Sequence, residues 1–379
     1  MATATTLEVG SGVAERPAAS ARAARAGEFL LVGGATPLLL ALSWLVRRHV
    51  ALDSARLAVA ATTFYAAYVV NDPHFSVTYL LFYRDVRARA FGRAFPPLQR
   101  ARYLVAGFVV PALLAAWGFG AIRLHSWWIM GLLLQLMFLL VGWHYVKQGF
   151  GVMTVLAARR GVRFSARERL AILAHCYAGW AYAWASPFDP GRQVEEKGVV
   201  YMTIRHPLGL EHLTHVVFLA TIVPLAWVVV RNASRWRAIA TPLVAMLASV
   251  WAWSIYSSFD PLVVFVVPAL HSIQYLYFVY LLRRNEARER EGPPNFDVSA
   301  KVRVGTLAVS AVALGVVLFH AGPSFLDGLF VDARETLEDP LGPTPYFAAL
   351  YAFVNIHHYF MDWVIWRRDN PETRFLLAS

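Results

Sequence analysis

The sequence predicts an all-α, polytopic integral membrane protein, a helical bundle of about ten transmembrane helices with both termini in the cytoplasm. Hydrophobic residues make up 58% of the 379 positions and charged residues 16%, with a mean hydropathy of +0.47. This leaves too little polar surface to cover a soluble globule. The apolar residues also form long runs, which short clusters of arginine separate. The predicted solvent of the chain is therefore a lipid bilayer.

Each apolar run has roughly the 17–25 residues that a helix needs to cross the hydrocarbon. In chain order the predicted spans are residues 28–46, 57–83, 102–122, 127–147, 168–186, 213–230, 238–256, 261–282, 302–320 and 345–366. The second span contains Pro73, and we expect a kink or break near Asn71-Asp72-Pro73 because proline interrupts helical hydrogen bonding.

The basic clusters set the predicted orientation. With a cytoplasmic N-terminus, every arginine cluster between spans except Arg47-Arg48 falls in the cytoplasm, as the positive-inside rule asks. We expect a multi-pass protein of a bacterial-type inner membrane. The net charge of +11 does not indicate nucleic-acid binding, because the basic residues lie between apolar runs and not along one surface.

The predicted organisation is one membrane domain with a tail at each end. Residues 1–26 are Ala-rich with scattered Arg and are expected to be a disordered cytoplasmic tail. Residues 27–368 form the predicted transmembrane domain, and residues 369–379 a second cytoplasmic tail. The single cysteine, Cys176, excludes an intrachain disulfide and a cysteine-rich metal site.

Five histidines on four predicted spans are expected at one depth of the membrane. They are His74, His144, His271, His357 and His358. Counted back from the arginine cluster that follows each span, at about 1.5 Å per residue, all five fall in one layer of the cytoplasmic half. The helix carrying His144 is expected to continue past the interface toward Arg159. Ionisable groups inside a membrane are costly and therefore mark functional sites, so these histidines are predicted metal ligands.

Polar and aromatic residues accompany these histidines at helical spacing. Asp362 lies on the face of His358 and is predicted to be a catalytic carboxylate or a further metal ligand, and Lys147 follows His144 as a second catalytic candidate. Side chains predicted to contact the cofactor or shape its pocket are Gln148, Gln274, Tyr145 and Tyr359.

Two further histidine positions are less specific. His175 has a depth that would let it join the layer as a ligand, but the small residues beside it also suit a close contact between helices. A second group, His206, His212 and His215, follows the spacing of a chelating pair, but histidines at an interface are usually solvated. Whether this group is a second site stays open.

Imidazole and carboxylate without thiolate suit iron, zinc, copper or manganese. Five or six nitrogens exceed what one ion with an open position takes, so two ions, or one ion with a proton relay, are favoured, with iron as the preferred metal. The expected function is an oxygenase, hydroxylase or desaturase that acts on a lipid-like substrate, with an electron donor protein or a quinone as partner. Zinc-dependent hydrolysis is the non-redox counterpart. In residue type alone the histidines resemble those of integral-membrane desaturases and hydroxylases, but the HxxxH and HxxHH boxes of that group are absent.

Two other functions use the same residues. Facing histidines can bind haem b axially, which implies an electron-transfer protein. The intramembrane histidines with Asp362 and Lys147 can also relay protons in a proton-coupled transporter, where Pro73, Pro261 and Pro268 would mark broken helices. The sequence shows no HExxH helix, GxSxG elbow or Walker A loop, which disfavours proteolysis, serine esterase chemistry and a nucleotide-driven pump.

Overall fold

The protein is built from α-helices. A computed structural model describes residues 18–185, 193–196, 199–202, 206–256, 260–291, 298–331 and 341–377. The first half of the chain forms α1 Ala18–Phe29, α2 Thr36–His49, α3 Leu52–Ala67, α4 Asn71–Tyr83, α5 Val86–Ala90, α6 Pro97–Leu104, α7 Val110–Arg123, α8 Trp127–Arg159 and α9 Ala166–Ala185. The second half forms α10 Leu208–Ala220, α11 Ile222–Arg231, α12 Trp236–Leu247, α13 Val263–Glu289, α14 Ala300–Val316, α15 Gly322–Phe330, α16 Pro345–Ile365 and α17 Arg374–Leu377.

Short π-helical and 3₁₀ turns connect or extend several of these helices. The π-helical turns are Leu30–Gly34, Val105–Val109, Ala248–Ile255 and Val317–Ala321, and the 3₁₀ turns are Ala233–Arg235 and Pro371–Thr373. Between α9 and α10 lies a β-hairpin in which β1 Gln193–Glu196 pairs antiparallel with β2 Val199–Met202. The all-α prediction therefore holds for the described residues except for this hairpin, which falls between two predicted spans.

Among the described residues, six helical segments are long and apolar enough to cross a membrane, as expected of a helical membrane protein. They are Pro97–Arg123, Trp127–Arg159, Leu208–Arg231, Ala233–Ile255, Val263–Glu289 and Ala300–Phe330. A seventh is added if the bent pair Arg22–Gly34 and Thr36–His49 is one span. The count of ten spans and the cytoplasmic position of both termini stay predictions. As expected, the helix that carries His144 continues to Arg159.

The first two predicted spans are both broken. The run 28–46 bends by 64° between Gly34 and Thr36, next to Gly33, whose φ of 132° lies outside the helical region. The run 57–83 divides into α3 and α4 at residues 68–70. Pro73 is then the third residue of α4, where a backbone N–H needs no helical partner. The break therefore lies directly before the Asn71-Asp72-Pro73 segment at which the sequence predicts it.

The two predicted tails both contain helical residues. Residues 1–17 lie outside the described part of the chain, but α1 begins at Ala18, inside the predicted tail 1–26, because alanine and arginine are strong helix formers. In the predicted tail 369–379, Phe375 and Leu376 are buried and pack beside α8 and α13. The C-terminal segment is thus part of the fold as far as Leu377, the last described residue.

Helix α16 lies at the centre of the bundle. It packs against α4, α7 and α8, and α4 packs in turn against α13 and α14. Almost the whole inward face of α16 is buried, including its polar side chains. This packing brings α4, α8, α13 and α16 together around one interior region.

Candidate metal centre

Four helices bring predicted ligands together in this interior region. His74 lies on α4, His144 on α8, His271 on α13 and His358 on α16. The ring centroids of His74 and His358 are 4.5 Å apart, and those of His144 and His358 are 4.9 Å apart. All four side chains are buried. Four of the predicted spans therefore meet at their histidines.

Three of these histidines and Asp362 form one compact group of donors. One nitrogen from each of His74, His144 and His358 and one oxygen of Asp362 lie within 4.8 Å of one another. Their exposed fractions are 1%, 4%, 0% and 6%. Opposite ligands on a metal ion with bonds of about 2.0–2.2 Å are about 4.0–4.4 Å apart. A group of this width is close to the size of a single coordination sphere.

The two oxygens of Asp362 have different roles. Oδ1 accepts hydrogen bonds from the Tyr275 hydroxyl at 2.7 Å and from Trp366 Nε1 at 3.1 Å. Oδ2 lies 3.3 Å from Nε2 of His358 and 3.7 Å from Nδ1 of His144. The first oxygen therefore anchors the carboxylate, and the second faces the imidazoles.

The tautomer of His74 follows from its hydrogen bonds. Ser272 donates its single hydroxyl proton to Oδ1 of Asn71 at 3.0 Å, so towards His74 it can only accept. His74 Nδ1, 2.9 Å from this hydroxyl, is therefore the protonated nitrogen, and Nε2 carries the lone pair. Metal-binding histidines are commonly oriented in this way, through a hydrogen bond to the nitrogen that does not ligate.

Four buried ring nitrogens of the group make no hydrogen bond to a described residue, although one of them, His358 Nε2, faces Asp362 Oδ2 at 3.3 Å. Among the residues that the structure describes, Nε2 of His74, Nε2 of His144 and both nitrogens of His358 make no hydrogen bond. The cost of leaving a buried polar group unpaired is about 1–3 kcal/mol. A metal ion that accepts one lone pair from each of the three rings would remove part of this cost.

The charge of Asp362 also fits a cation. Within the described ranges its ion-pair contacts are to His144 and His358, with no lysine or arginine beside it. A buried carboxylate without a cation is strongly unfavourable. One divalent ion bound by the four donors would balance the carboxylate and use the imidazole lone pairs, so the residues present fit a metal.

His271 borders this group without belonging to it. Its ring centroid lies 4.8 Å from that of His144 and 5.0 Å from that of His74, but its nitrogens are not among the four donors. Aromatic rings enclose the site: Tyr145 stacks on His271 at 4.2 Å, and Tyr359 stacks on His144 at 4.7 Å. The two predicted pocket tyrosines are thus walls of the site.

His357 faces away from the group. Its Nδ1 lies 3.0 Å from the Tyr79 hydroxyl, and its Nε2 lies 3.0 Å from the carbonyl oxygen of Ala106 in the π-helical turn before α7. Both nitrogens are therefore used in contacts between helices. The structure does not bring this predicted ligand to the site, because neighbouring residues of a helix point about 100° apart.

His175 also lies elsewhere. Trp251 Nε1 donates to its Nε2 at 3.0 Å, and its Nδ1 lies 3.0 Å from the Thr221 hydroxyl, which itself donates to the carbonyl of Phe218. Both ring nitrogens are paired, and the ring stacks on Phe218 at 5.0 Å. These contacts join α9 to α10 and to the turn after α12, which is the packing alternative of the sequence analysis.

The remaining predicted polar residues contact other partners. The ammonium of Lys147 lies over the rings of Phe150 and Tyr177 at 5.7 and 5.9 Å. Gln148 donates to the His271 carbonyl at 3.1 Å and to Gln274 at 2.8 Å, and Gln274 donates to the Val32 carbonyl at 2.6 Å. The two glutamines therefore connect α8 and α13 to the π-helical turn Leu30–Gly34.

Ser272, Trp366 and the pair of Asp72 with His320 were missed by sequence reasoning. Ser272 and Trp366 orient His74 and Asp362, as described above. Asp72 lies on α4, two residues before His74, and its Oδ2 is 2.8 Å from His320 Nε2. The available signal was spacing: Ser272 adjoins His271, and Trp366 lies one helical turn after Asp362.

His206, His212 and His215 form no donor group with other described residues. His206 lies against the ring of Trp184 at 4.2 Å, and His215 stacks on Tyr182 at 4.7 Å. The one group of potential metal donors in the described part of the chain is that of His74, His144, His358 and Asp362.

Comparison with known proteins identifies no relative. No protein-family model matches the chain, and neither a curated protein nor a solved structure matches it significantly.

Proposed function

We propose that the protein is a membrane-embedded, metal-dependent oxidoreductase that acts on a lipid-like substrate. His74, His144, His358 and Asp362 are the proposed ligands of a single ion, and iron is the favoured metal. The observation that carries this proposal is the group of four buried donors within 4.8 Å. One ion replaces the two expected from the number of histidines, because His357 and His175 make other contacts.

The donor set supports the choice of metal. Imidazole and carboxylate suit iron, manganese, zinc and copper(II), and the single cysteine, Cys176, is not part of the donor group. Four protein ligands complete a tetrahedral zinc site, whereas catalysis needs an open position. A six-coordinate ion keeps two positions for exogenous ligands. When bound, a redox-active ion of this kind supplies one-electron chemistry and activation of dioxygen.

The surroundings support an apolar substrate. Phe75, Tyr145 and Tyr359 contact the histidine rings, and two of the four helices of the site, α8 and α13, are long and apolar enough to cross a membrane. These walls exclude water from the donors. A substrate that reaches the site from the lipid phase is therefore a hydrophobic or lipid-like molecule. The proposed site lies in the cytoplasmic half of an inner membrane. An electron donor protein or a quinone is the proposed second partner.

Ring packing favours an ion over haem b. The centroids of His74, His144 and His358 are mutually 4.5 to 6.1 Å apart. The separation of His74 and His144 alone would admit two axial ligands, but the His358 ring lies within 4.9 Å of both and fills the space that a porphyrin plane needs. Axial ligation of a haem would therefore require the helices to separate.

Metal analysis of two neighbouring histidine variants tests the proposal. Wild-type protein purified in detergent is expected to hold about one ion per chain, and His358→Ala to lose most of it, because a ligand is removed. His357→Ala is the matched control: it removes the adjacent buried imidazole, which lies outside the donor group, and is expected to keep the metal. Equal metal content in all three proteins, or none in the wild type, would contradict the proposal.

The proposed oxidoreductase activity needs a separate measurement. With iron bound, the wild type in proteoliposomes is expected to consume dioxygen when a reductant is supplied, and His358→Ala is not. Electron paramagnetic resonance of the oxidised sample identifies the metal. A redox-inactive zinc ion, with no reductant-dependent uptake of dioxygen, would overturn the oxidoreductase in favour of hydrolysis.

A further inference from the structure

His271 is a buried histidine of the site whose ring has no hydrogen-bond partner. In the part of the chain that the structure describes, neither Nδ1 nor Nε2 makes a hydrogen bond, and the residue is 2% exposed. A neutral imidazole always carries one N–H donor and one lone pair. Both are therefore left for something other than the described protein groups.

The ring is held in place by its neighbours. Tyr145 stacks on one side with an interplanar angle of 29°, and Trp253 meets the ring edge-on at 6.3 Å. Gln148 fixes the backbone by donating to the His271 carbonyl at 3.1 Å. These contacts orient the imidazole without using its nitrogens.

His271 lies beside the proposed metal centre. The His271 ring meets those of His144 and His74 at interplanar angles of 72° and 64°, with centroids 4.8 and 5.0 Å away. The four-donor group is complete without it. A polar molecule bound at an open position of the ion, on the side of His144 and His74, would meet the His271 N–H.

We infer that His271 is not a ligand but a positioning residue, which donates its N–H to the exogenous polar ligand that shares the site with the metal. This inference rests on the proposed metal centre. The ion accepts the lone pair of the exogenous ligand, and His271 donates a hydrogen bond to the same small molecule. The ligand class is a small anion or polar oxygen or nitrogen species, for which azide is a practical probe.

Azide titration of the iron-loaded protein tests the inference. His271→Phe keeps an aromatic ring and removes both nitrogens, so we expect the metal content of the wild type and an azide Kd raised about tenfold, the effect of one lost hydrogen bond. His271→Gln restores an N–H donor and is expected to recover part of the affinity. Metal content is measured by mass spectrometry and azide binding by the absorption of the complex.

The outcomes separate this inference from the proposed function. If His271→Phe loses metal as His358→Ala does, His271 is a ligand and the inference is overturned. Metal retained with unchanged azide affinity also overturns it, but leaves the proposed metal centre standing. A wild type without metal would overturn both.

A measurement on the unmodified protein covers the case in which the variants do not fold. Pulsed electron paramagnetic resonance of the iron-loaded wild type counts imidazole nitrogens coupled to the metal. Three strongly coupled nitrogens, from His74, His144 and His358, support the inference, and four overturn it.

Discussion

At the residue scale, a single hydroxyl decides which nitrogen of His74 faces the site. Ser272 accepts from His74 Nδ1 because its own proton goes to Asn71. In Ser272→Ala the imidazole is free to change tautomer and to rotate. We expect metal affinity to fall about 10–100-fold, the usual effect of removing a hydrogen bond that orients a ligand. Titration with a competing chelator measures this change.

The matched control for this prediction is Ser249→Ala. Ser249 is a fully buried serine whose hydroxyl donates to the Ala245 carbonyl within its own helical segment. Its removal is expected to leave metal affinity unchanged. Equal losses in the two variants would mean that Ser272 acts through general packing and not through His74.

The sequence indicates which helices carry polar residues in their interior better than it indicates the direction of each side chain around the helix axis. His74, His144, His358 and Asp362 were recognisable because polar residues stand out inside apolar runs. The choice between His357 and His358 was not available, because adjacent residues share one depth and differ only in direction around the helix axis. That direction is set by the packing of α16 against α4 and α8, which is a tertiary property.

At the element scale, the bend between Arg22–Gly34 and Thr36–His49 depends on Gly33. Its φ of 132° is unfavourable for any residue with a side chain, and a Cβ there would lie 3.0 Å from the Cβ of Ala248. We expect Gly33→Ala to destabilise the protein by about 1–2 kcal/mol or more, lowering the apparent melting temperature by a few degrees. Intrinsic fluorescence from the 13 tryptophans reports the transition.

A glycine in a regular helix provides the comparison. Gly305 lies in α14, and a Cβ added there would meet nothing within 4 Å. Gly305→Ala is expected to leave the melting temperature unchanged or slightly raised, because alanine has the higher helix propensity. If both variants melt alike, the conformation of Gly33 is not what limits stability.

The two helix breaks differ in how far the sequence could predict them. Pro73 indicated the break between α3 and α4, since proline limits helical hydrogen bonding at a known position. Gly33 gave no comparable signal, because glycine is common inside apolar spans and many such glycines stay helical. The bend becomes necessary only through the close approach of Gly33 to Ala245 and Ala248, on the segment around α12.

At the scale of the whole molecule, the C-terminal segment ties together helices that carry the site. Glu372 is ion-paired with Arg84, which follows α4, at 2.8 Å, and with Arg89. Farther along, Phe375 and Leu376 accept hydrogen bonds through their carbonyls from Asn285 on α13 and Arg159 on α8. The segment therefore fixes one end of the histidine-bearing helices relative to each other, which a disordered tail would not do.

This arrangement predicts a pH-dependent stability. Burial alone raises the pKa of Glu372, but Arg89 and Arg84 lower it more, so the net pKa lies below its ordinary value of 4.5. The ionised form is thus favoured by folding. Its contribution to stability is complete above the ordinary pKa and is lost as the pH falls through the lowered pKa.

We expect the melting temperature of the wild type to decrease as the pH is lowered below about 4.5. Glu372→Gln should be less stable at neutral pH by about 1–3 kcal/mol and should show a smaller fall in that range. Glu289→Gln is the control, because the ion pair of Glu289 with Arg374 is exposed, with 58% and 68% of the side chains accessible, and such pairs contribute little. Melting curves of the three proteins from about pH 3 to pH 7 decide the point. Parallel curves for the wild type and Glu372→Gln would show that the partly buried ion pairs of Glu372 do not hold the C-terminal segment in place.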